Sequence, residues 1–269
     1  MKSYLQHFGL KYDPLGKNIQ EINNESYQQL ILHLNWLLET KGVGVIIGEA
    51  GVGKTTGIRQ WVTTLNPHTY RFYYTADNHF RAFDIYSQLA DALEIEAQHR
   101  YSRLWRTIKQ EVLHLHDEKK ITPIWILDEA HQLPLNFFAD LPSFLNFSFD
   151  TRDIMVILLI GAPKLEGILQ RSIYAALDSR TKFCFEWQAL DDVEKFSEFI
   201  IAAFEKAGCQ QMILSQSGIK LIHMATKGRL RFADKIITKS LQLASAERMN
   251  HISDDIIKIG IDQLRKSLH

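Results

Sequence analysis

Residues 48–55 read Gly-Glu-Ala-Gly-Val-Gly-Lys-Thr and fit G-x-x-x-x-G-K-[ST] without a mismatch. Glycines at these positions let the backbone curl so that successive N–H groups face inward at phosphate oxygens, and a following helix adds its positive end. Lys54 would reach the β- and γ-phosphates, and the Thr55 hydroxyl would ligate magnesium. The cradle would comprise Gly48, Glu49, Ala50, Gly51, Val52, Gly53, Lys54, Thr55 and Thr56. This chemistry is the binding of a nucleoside triphosphate, with ATP and Mg2+ as the expected cofactors.

The second set of reactive residues lies 74 positions after Lys54, where the apolar run 121–127 meets Asp128-Glu129. An acid at the end of a buried strand can hold the magnesium shell, the role for Asp128. Glu129, one residue on, is placed to polarise an attacking water as general base. The alternative is a helix N-terminus with two capping acids. A third set is basic: Arg100, Arg103, Arg106 and Lys109, with His79 and Arg81 on a preceding polar loop. These could contact the phosphates of duplex DNA, or form an ordinary solvated helix face.

The elements that must position these groups follow from periodicity. Residues 42–47 read as a buried strand entering the glycine loop, and 56–65 as a helix through Ile58, Trp61, Val62 and Leu65. Further strands are expected at 70–74, 121–127, 154–160 and 183–187. Helical spacing marks 25–40, 84–93, 98–120 and 165–177. Strands alternating with helices give an α/β fold, a five-stranded parallel sheet covered on both faces. From residue 190 onward only helices are expected, opened by the capping box Asp191-x-x-Glu194. The expected organisation is a lead-in at 1–41 packed on the core, a core at 42–189 and a helical lid domain at 190–269.

The 269 residues are 46% hydrophobic and 23% charged, the composition of a folded globular chain and not of a disordered one. Lys plus Arg and Asp plus Glu both count 31, so any nucleic-acid surface must be local. Two cysteines cannot build a disulfide framework, and buried free thiols are expected. The longest apolar run, 154–163, is too short to span a bilayer, so the expectation is a soluble cytoplasmic protein with no membrane partner.

Taken together, the glycine loop, the Asp-Glu strand end and the helical lid resemble an AAA+ ATPase. The opening Tyr4-Leu5 and Phe8-Gly9-Leu10, the GEAGVGKTT loop, LDEAHQL at 127–133 and LIGAPKL at 159–165 are similar to the ExeA-like group. That group shares its core with transposon helper ATPases of the MuB, IstB, TniB and TnsC types. The resemblance implies that Arg231, in Gly228-x-x-Arg231, reaches the γ-phosphate. It also implies that Arg180, with Arg171 as competitor, acts as an arginine finger on the next subunit's nucleotide. One departure stands out: the family places a polar, water-orienting residue at the end of the fourth strand, where this chain has Ala162, so that either Lys164 or a neighbouring loop substitutes or hydrolysis is slow.

The function these readings favour is an ATP-dependent, DNA-binding regulator of transposition. It would assemble with itself as a ring or filament on duplex DNA and engage a transposase. The alternative is a secretion-associated or protein-remodelling ATPase without DNA binding. Asp128-Glu129-Ala130-His131 also spells the tetrad of DEAH helicases, but those need a second motor domain that the remaining length does not hold.

Overall fold

The computed structural model describes residues 3–16, 24–76, 81–96, 98–209 and 211–266. In chain order they form α1 (Ser3–His7), α2 (Glu25–Thr40), β1 (Gly42–Ile47), α3 (Lys54–Thr64), β2 (Tyr70–Thr75), α4 (Ala82–Ala92) and α5 (Tyr101–Asp117). Then come β3 (Thr122–Leu127), a 3-10 turn (Ala130–Gln132), α6 (Leu135–Leu145), β4 (Val156–Gly161), α7 (Lys164–Leu169), a second 3-10 turn (Ser172–Tyr174), α8 (Ala175–Asp178) and β5 (Thr181–Glu186). The remainder is helical: α9 (Val193–Lys206), α10 (Gln216–Thr226), α11 (Leu230–Ala246) and α12 (Asp254–Lys266).

The chain divides into two units. The sheet unit holds Asn23–Gly48 and Gly57–Trp187, and the helical unit holds Met1–Ile22, Glu49–Thr56 and Gln188–His269. In the sheet unit all pairings are parallel, in the order β2-β3-β4-β1-β5. Val45 of β1 pairs with Leu159 of β4 on one side and Cys184 of β5 on the other. Strands β1, β3 and β4 are buried at every position, which is why their sequences are near-continuous apolar runs. The edge strands β2 and β5 are exposed at several positions. Parallel strands share one direction, so Gly48, Asp128 and Ala162 all follow carboxyl ends on the same edge of the sheet, the edge where α/β folds bind ligands.

The P-loop AAA+ architecture expected from the sequence is present, a five-stranded parallel sheet flanked by helices with a helical C-terminal region. Several details differ. Residues 165–177 are not one helix but α7, a 3-10 turn and α8. Buried Tyr174, donating its hydroxyl to the Leu135 carbonyl at 3.1 Å, anchors the break. Helix α6 is not among the helices expected from spacing, and it carries Pro142 in its interior. Pro134 occupies the N-cap position, and Phe137, Phe138, Leu141, Phe144 and Leu145 fill the core. The basic helix is shorter than 98–120, starting after Arg100 and ending at Asp117.

The lead-in is split. Helix α2 lies in the sheet unit with buried Leu30, Leu34 and Leu37. The first residues belong instead with the C-terminal helices. Tyr4, Leu5, Leu10 and Leu15 share one apolar cluster with Phe196, Ile200 and Phe204. The Lys11 N–H donates to the Ala207 carbonyl at 2.8 Å and the Tyr12 hydroxyl to the Lys206 carbonyl at 2.8 Å. The apolar residues of this hook complete the helical unit. The cysteines also depart from expectation, for Cys184 is exposed on β5 and Cys209 half-buried, both free.

Candidate functional site

The glycine loop leaves β1 through Gly48, whose N–H donates to the Gly161 carbonyl at 3.2 Å. A methyl group on Gly48 would lie 2.4 Å from the Trp187 carbonyl oxygen, and one on Gly57 would lie 2.3 Å from the Trp187 ring. Trp187 is itself buried and donates its backbone N–H to the Ile47 carbonyl at 2.7 Å. One tryptophan thus abuts the chain where it enters the loop and where it continues into α3. Only glycine fits at either point, so Gly48 and Gly57 are requirements of packing as well as of the motif.

Between these points, Gly51 and Gly53 adopt φ of +84° and +111°, the left-handed range open to glycine. Helix α3 begins at Lys54, so the loop ends on a helix N-terminus, whose positive end favours an anion. The Lys54 ammonium donates to the Glu49 carbonyl at 2.9 Å, closing the loop on itself. Glu49, Ala50 and Thr55 are exposed, Thr56 is half-buried, and Val52 is buried. Within the helical unit, the Arg231 N–H donates to the Gly51 carbonyl at 3.1 Å. Arg231 is brought there by Gly228, whose φ of +70° turns the chain into α11 and which a methyl group would drive to 2.0 Å from the Leu190 carbonyl oxygen.

At the end of β3, Asp128 is buried. Its carboxylate accepts from the Tyr74 hydroxyl at 2.9 Å and from the Glu129 N–H at 2.9 Å. Burial, and then the Asp128 charge, push the Tyr74 phenol well above its ordinary value, so it stays a donor. Glu129 is left-handed, with φ 51° and ψ 32°, a conformation that costs a non-glycine residue about 1–3 kcal/mol. The turn is held by the Asp128 carboxylate and by the Gln132 N–H, which donates to the Glu129 carbonyl at 2.8 Å. The Glu129 side chain remains 53% exposed, and its Oε2 is 3.5 Å from His131 Nδ1. His131 begins no α-helix; it lies in the 3-10 turn.

The other expected residues are more scattered. Arg180 is mostly buried and engaged in its own chain, paired with Asp150 and lying 3.6 Å from Asp153. Arg171, its competitor, is exposed. Arg81, Arg100, Arg103 and Arg106 are exposed. Lys109 departs from them, donating to the carbonyls of Asn146 at 2.6 Å and Ser143 at 3.3 Å and lying over the Phe147 ring. Burial, and then Arg180, hold its ammonium below the ordinary value. The reason is helical geometry: nine residues advance about two and a half turns, so Arg100 and Lys109 fall on opposite sides. Arg100, Arg103 and Arg106 stay exposed, and Lys109 packs against the segment after α6. His79 lies outside the described residues.

Three residues here escape motif reading. Trp187 reads in sequence only as a strand end, Tyr74 as one aromatic in an edge strand, and His131 as part of a tetrad belonging to another enzyme class. Their roles arise from pairing between elements, although the i, i+2 placement of Thr75 and Tyr73 inward does identify Tyr74 as outward-facing.

Residues 37–169 match the family described as AAA domain. A curated relative is the general secretion pathway protein A of Aeromonas hydrophila, 25% identical over 257 residues. The match covers 92% of this chain but only 46% of that protein, so the chain spans less than half the relative's length. Among solved structures, Cdc6p of Pyrobaculum aerophilum superposes with a TM-score of 0.74 at 17% identity, covering 92% of this chain and 69% of that one. The ORC1 protein of Aeropyrum pernix, solved in complex with DNA, gives 0.70 at 12% identity, covering 93% and 68%. At such identities the likeness is one of fold.

Proposed function

We propose that this chain, which carries an AAA domain at residues 37–169 on a P-loop AAA+ fold, is an ATPase whose helical unit reads the state of the nucleotide. The observation that carries this is the bond from Arg231 to the carbonyl of Gly51, which joins the helical region to the phosphate loop itself.

The residues suit the cofactors. Positive φ at Gly51 and Gly53 and the helix start at Lys54 supply inward N–H groups for phosphate. Asp128 and Thr55 would offer hard oxygen ligands of the kind magnesium takes, and the Tyr74 hydroxyl and Glu129 N–H help fix the orientation of the Asp128 carboxylate. Bound magnesium would neutralise charge on the phosphate oxygens. Lys54 would exchange its bond to Glu49 for phosphate, and Glu129, on its exposed turn, would take a proton from water. Arg231 would add a positive charge beside the phosphates.

We further infer that the working state is an ATP-bound homo-oligomer, in which Arg180 or Arg171 serves the neighbouring nucleotide. For Arg180 this requires release from Asp150 and Asp153. Duplex DNA is the first partner reading, supported by the exposed Arg81, Arg100, Arg103 and Arg106, with a transposase as client. A secretion-associated role is the second reading, favoured by the 25% identical secretion protein. Among the described residues no helix is long and apolar enough to cross a membrane.

Sedimentation with duplex DNA, with and without a non-hydrolysable ATP analogue at two salt concentrations, separates these readings. Analogue-dependent co-assembly that weakens steeply with salt supports the DNA reading. Assembly with the analogue but no DNA in the complex supports the second.

A further inference from the structure

The ring of His131 is 9% exposed and lodged at the end of β4. The Ala162 N–H donates to its Nδ1 at 3.1 Å. Room for the ring is made by Gly161, where a methyl group would sit 3.2 Å from the His131 backbone nitrogen and 3.3 Å from Nδ1. An N–H can donate only to an unprotonated ring nitrogen, so this bond places the imidazole proton on Nε2 and leaves the ring neutral. The Glu129 carboxylate Oε2 lies 3.5 Å from the same Nδ1. Two residues of one turn are thus placed differently: the histidine is fastened to the end of β4, and the carboxylate beside it is carried by a half-exposed, left-handed residue.

We propose that His131 is a positioning residue for Glu129, tying the β3 turn to the end of β4 through the Ala162 N–H so that the carboxylate keeps one station relative to the sheet edge. The role rests on the ATPase reading above and adds a residue to it. A glutamate more than half exposed on a strained turn has many rotamers, and a buried ring at 3.5 Å removes those that would overlap it. A neutral ring does this without neutralising the base. Misplacing a catalytic group by about 1 Å costs roughly 100-fold in rate, so the loss of such a wall is measurable.

The test compares ATP turnover and ATP affinity in the whole chain for the wild type and for His131→Ala, His131→Asn and His131→Gln. Asparagine puts a carbonyl oxygen near the place of Nδ1 and can take the Ala162 N–H; glutamine and alanine cannot. The role predicts that Ala and Gln lower kcat by roughly 10- to 100-fold with KM and ATP affinity nearly unchanged, and that Asn restores most of it. Unchanged kcat in His131→Ala, or an Asn variant as poor as Ala, overturns the role while leaving the ATPase reading intact. A wild-type chain that neither binds nor hydrolyses ATP overturns both. Loss of folding in every variant, seen as a lowered Tm without a selective fall in kcat, makes His131 a packing residue and overturns the role as well.

Discussion

The backbone N–H of Arg231 donates to the carbonyl of Gly51 at 3.1 Å. Because the bond is made by backbone, it places the Arg231 side chain at the phosphate loop without using the guanidinium. Arg231→Ala should keep this contact and shift stability by no more than about 0.5 kcal/mol, as surface substitutions do. Its ATP turnover should fall by at least about 10-fold if the guanidinium acts on transferring phosphate. Equal turnover with and without the side chain would confine Arg231 to structure.

Two glycines make a matched pair. At Gly228, φ is +70° and a methyl group would meet the Leu190 carbonyl at 2.0 Å; at Gly167, inside α7, nothing lies within 4 Å. Gly228→Ala should destabilise the chain by more than about 2 kcal/mol, since strain and overlap combine. Gly167→Ala should stabilise it by about 0.5–1 kcal/mol, through helix propensity. Urea unfolding of the two variants checks both signs.

The Tyr74 hydroxyl that serves Asp128 gives a pH signature. Its folded-state value lies above the ordinary 10.0, raised by burial first and the Asp128 carboxylate second. For a group raised on folding, the stabilisation is complete below the unfolded value and lost as pH rises through the folded one. The gap in stability between wild type and Tyr74→Phe, about 1 kcal/mol for a half-exposed hydrogen bond, should be constant from pH 7 to 9. It should shrink only above pH 10. A gap that changes between pH 6 and 8 would mean that another group is responsible.

Lys54 begins α3 and bonds to the Glu49 carbonyl at 2.9 Å. Lys54→Ala should leave the fold intact and weaken ATP binding by more than about 10-fold, the equivalent of a lost charge-assisted contact. ATP-driven assembly should vanish with it. Titration with a fluorescent ATP analogue and sedimentation read the two effects, and assembly retained in ATP would show that this loop is not the switch.

Which features were legible in the sequence follows from how local they are. The phosphate loop and the Asp128-Glu129 strand end are contiguous stretches, and buried parallel strands must be apolar throughout, so β1, β3 and β4 announce themselves. Features that depend on another element did not. Trp187 touches Gly48 and Gly57 only once β5 lies beside β1. The N-terminal hook gives no sign in its own residues that Phe196 and Ile200 are its neighbours. Helix α6 is not legible locally because it carries Pro142 in its interior, and the burial of Phe137, Phe138, Leu141 and Phe144 is what holds it. The contacts of Lys109 were not legible because a three-residue spacing drifts around a helix with 3.6 residues per turn and turns it toward Asn146. His131 was legible as a letter of a motif, but its partner Ala162 is 31 residues away.

The measurement that bears most directly on this account is ATP binding and single-turnover hydrolysis by Glu129→Gln beside the wild type. The account predicts ATP affinity within about 3-fold of wild type and a hydrolysis rate at least about 100-fold lower, the loss of a general base. It also predicts that the variant stays assembled in ATP. Hydrolysis at the wild-type rate would remove Glu129 from the chemistry, and a wild-type chain that binds no ATP would remove the chemistry altogether.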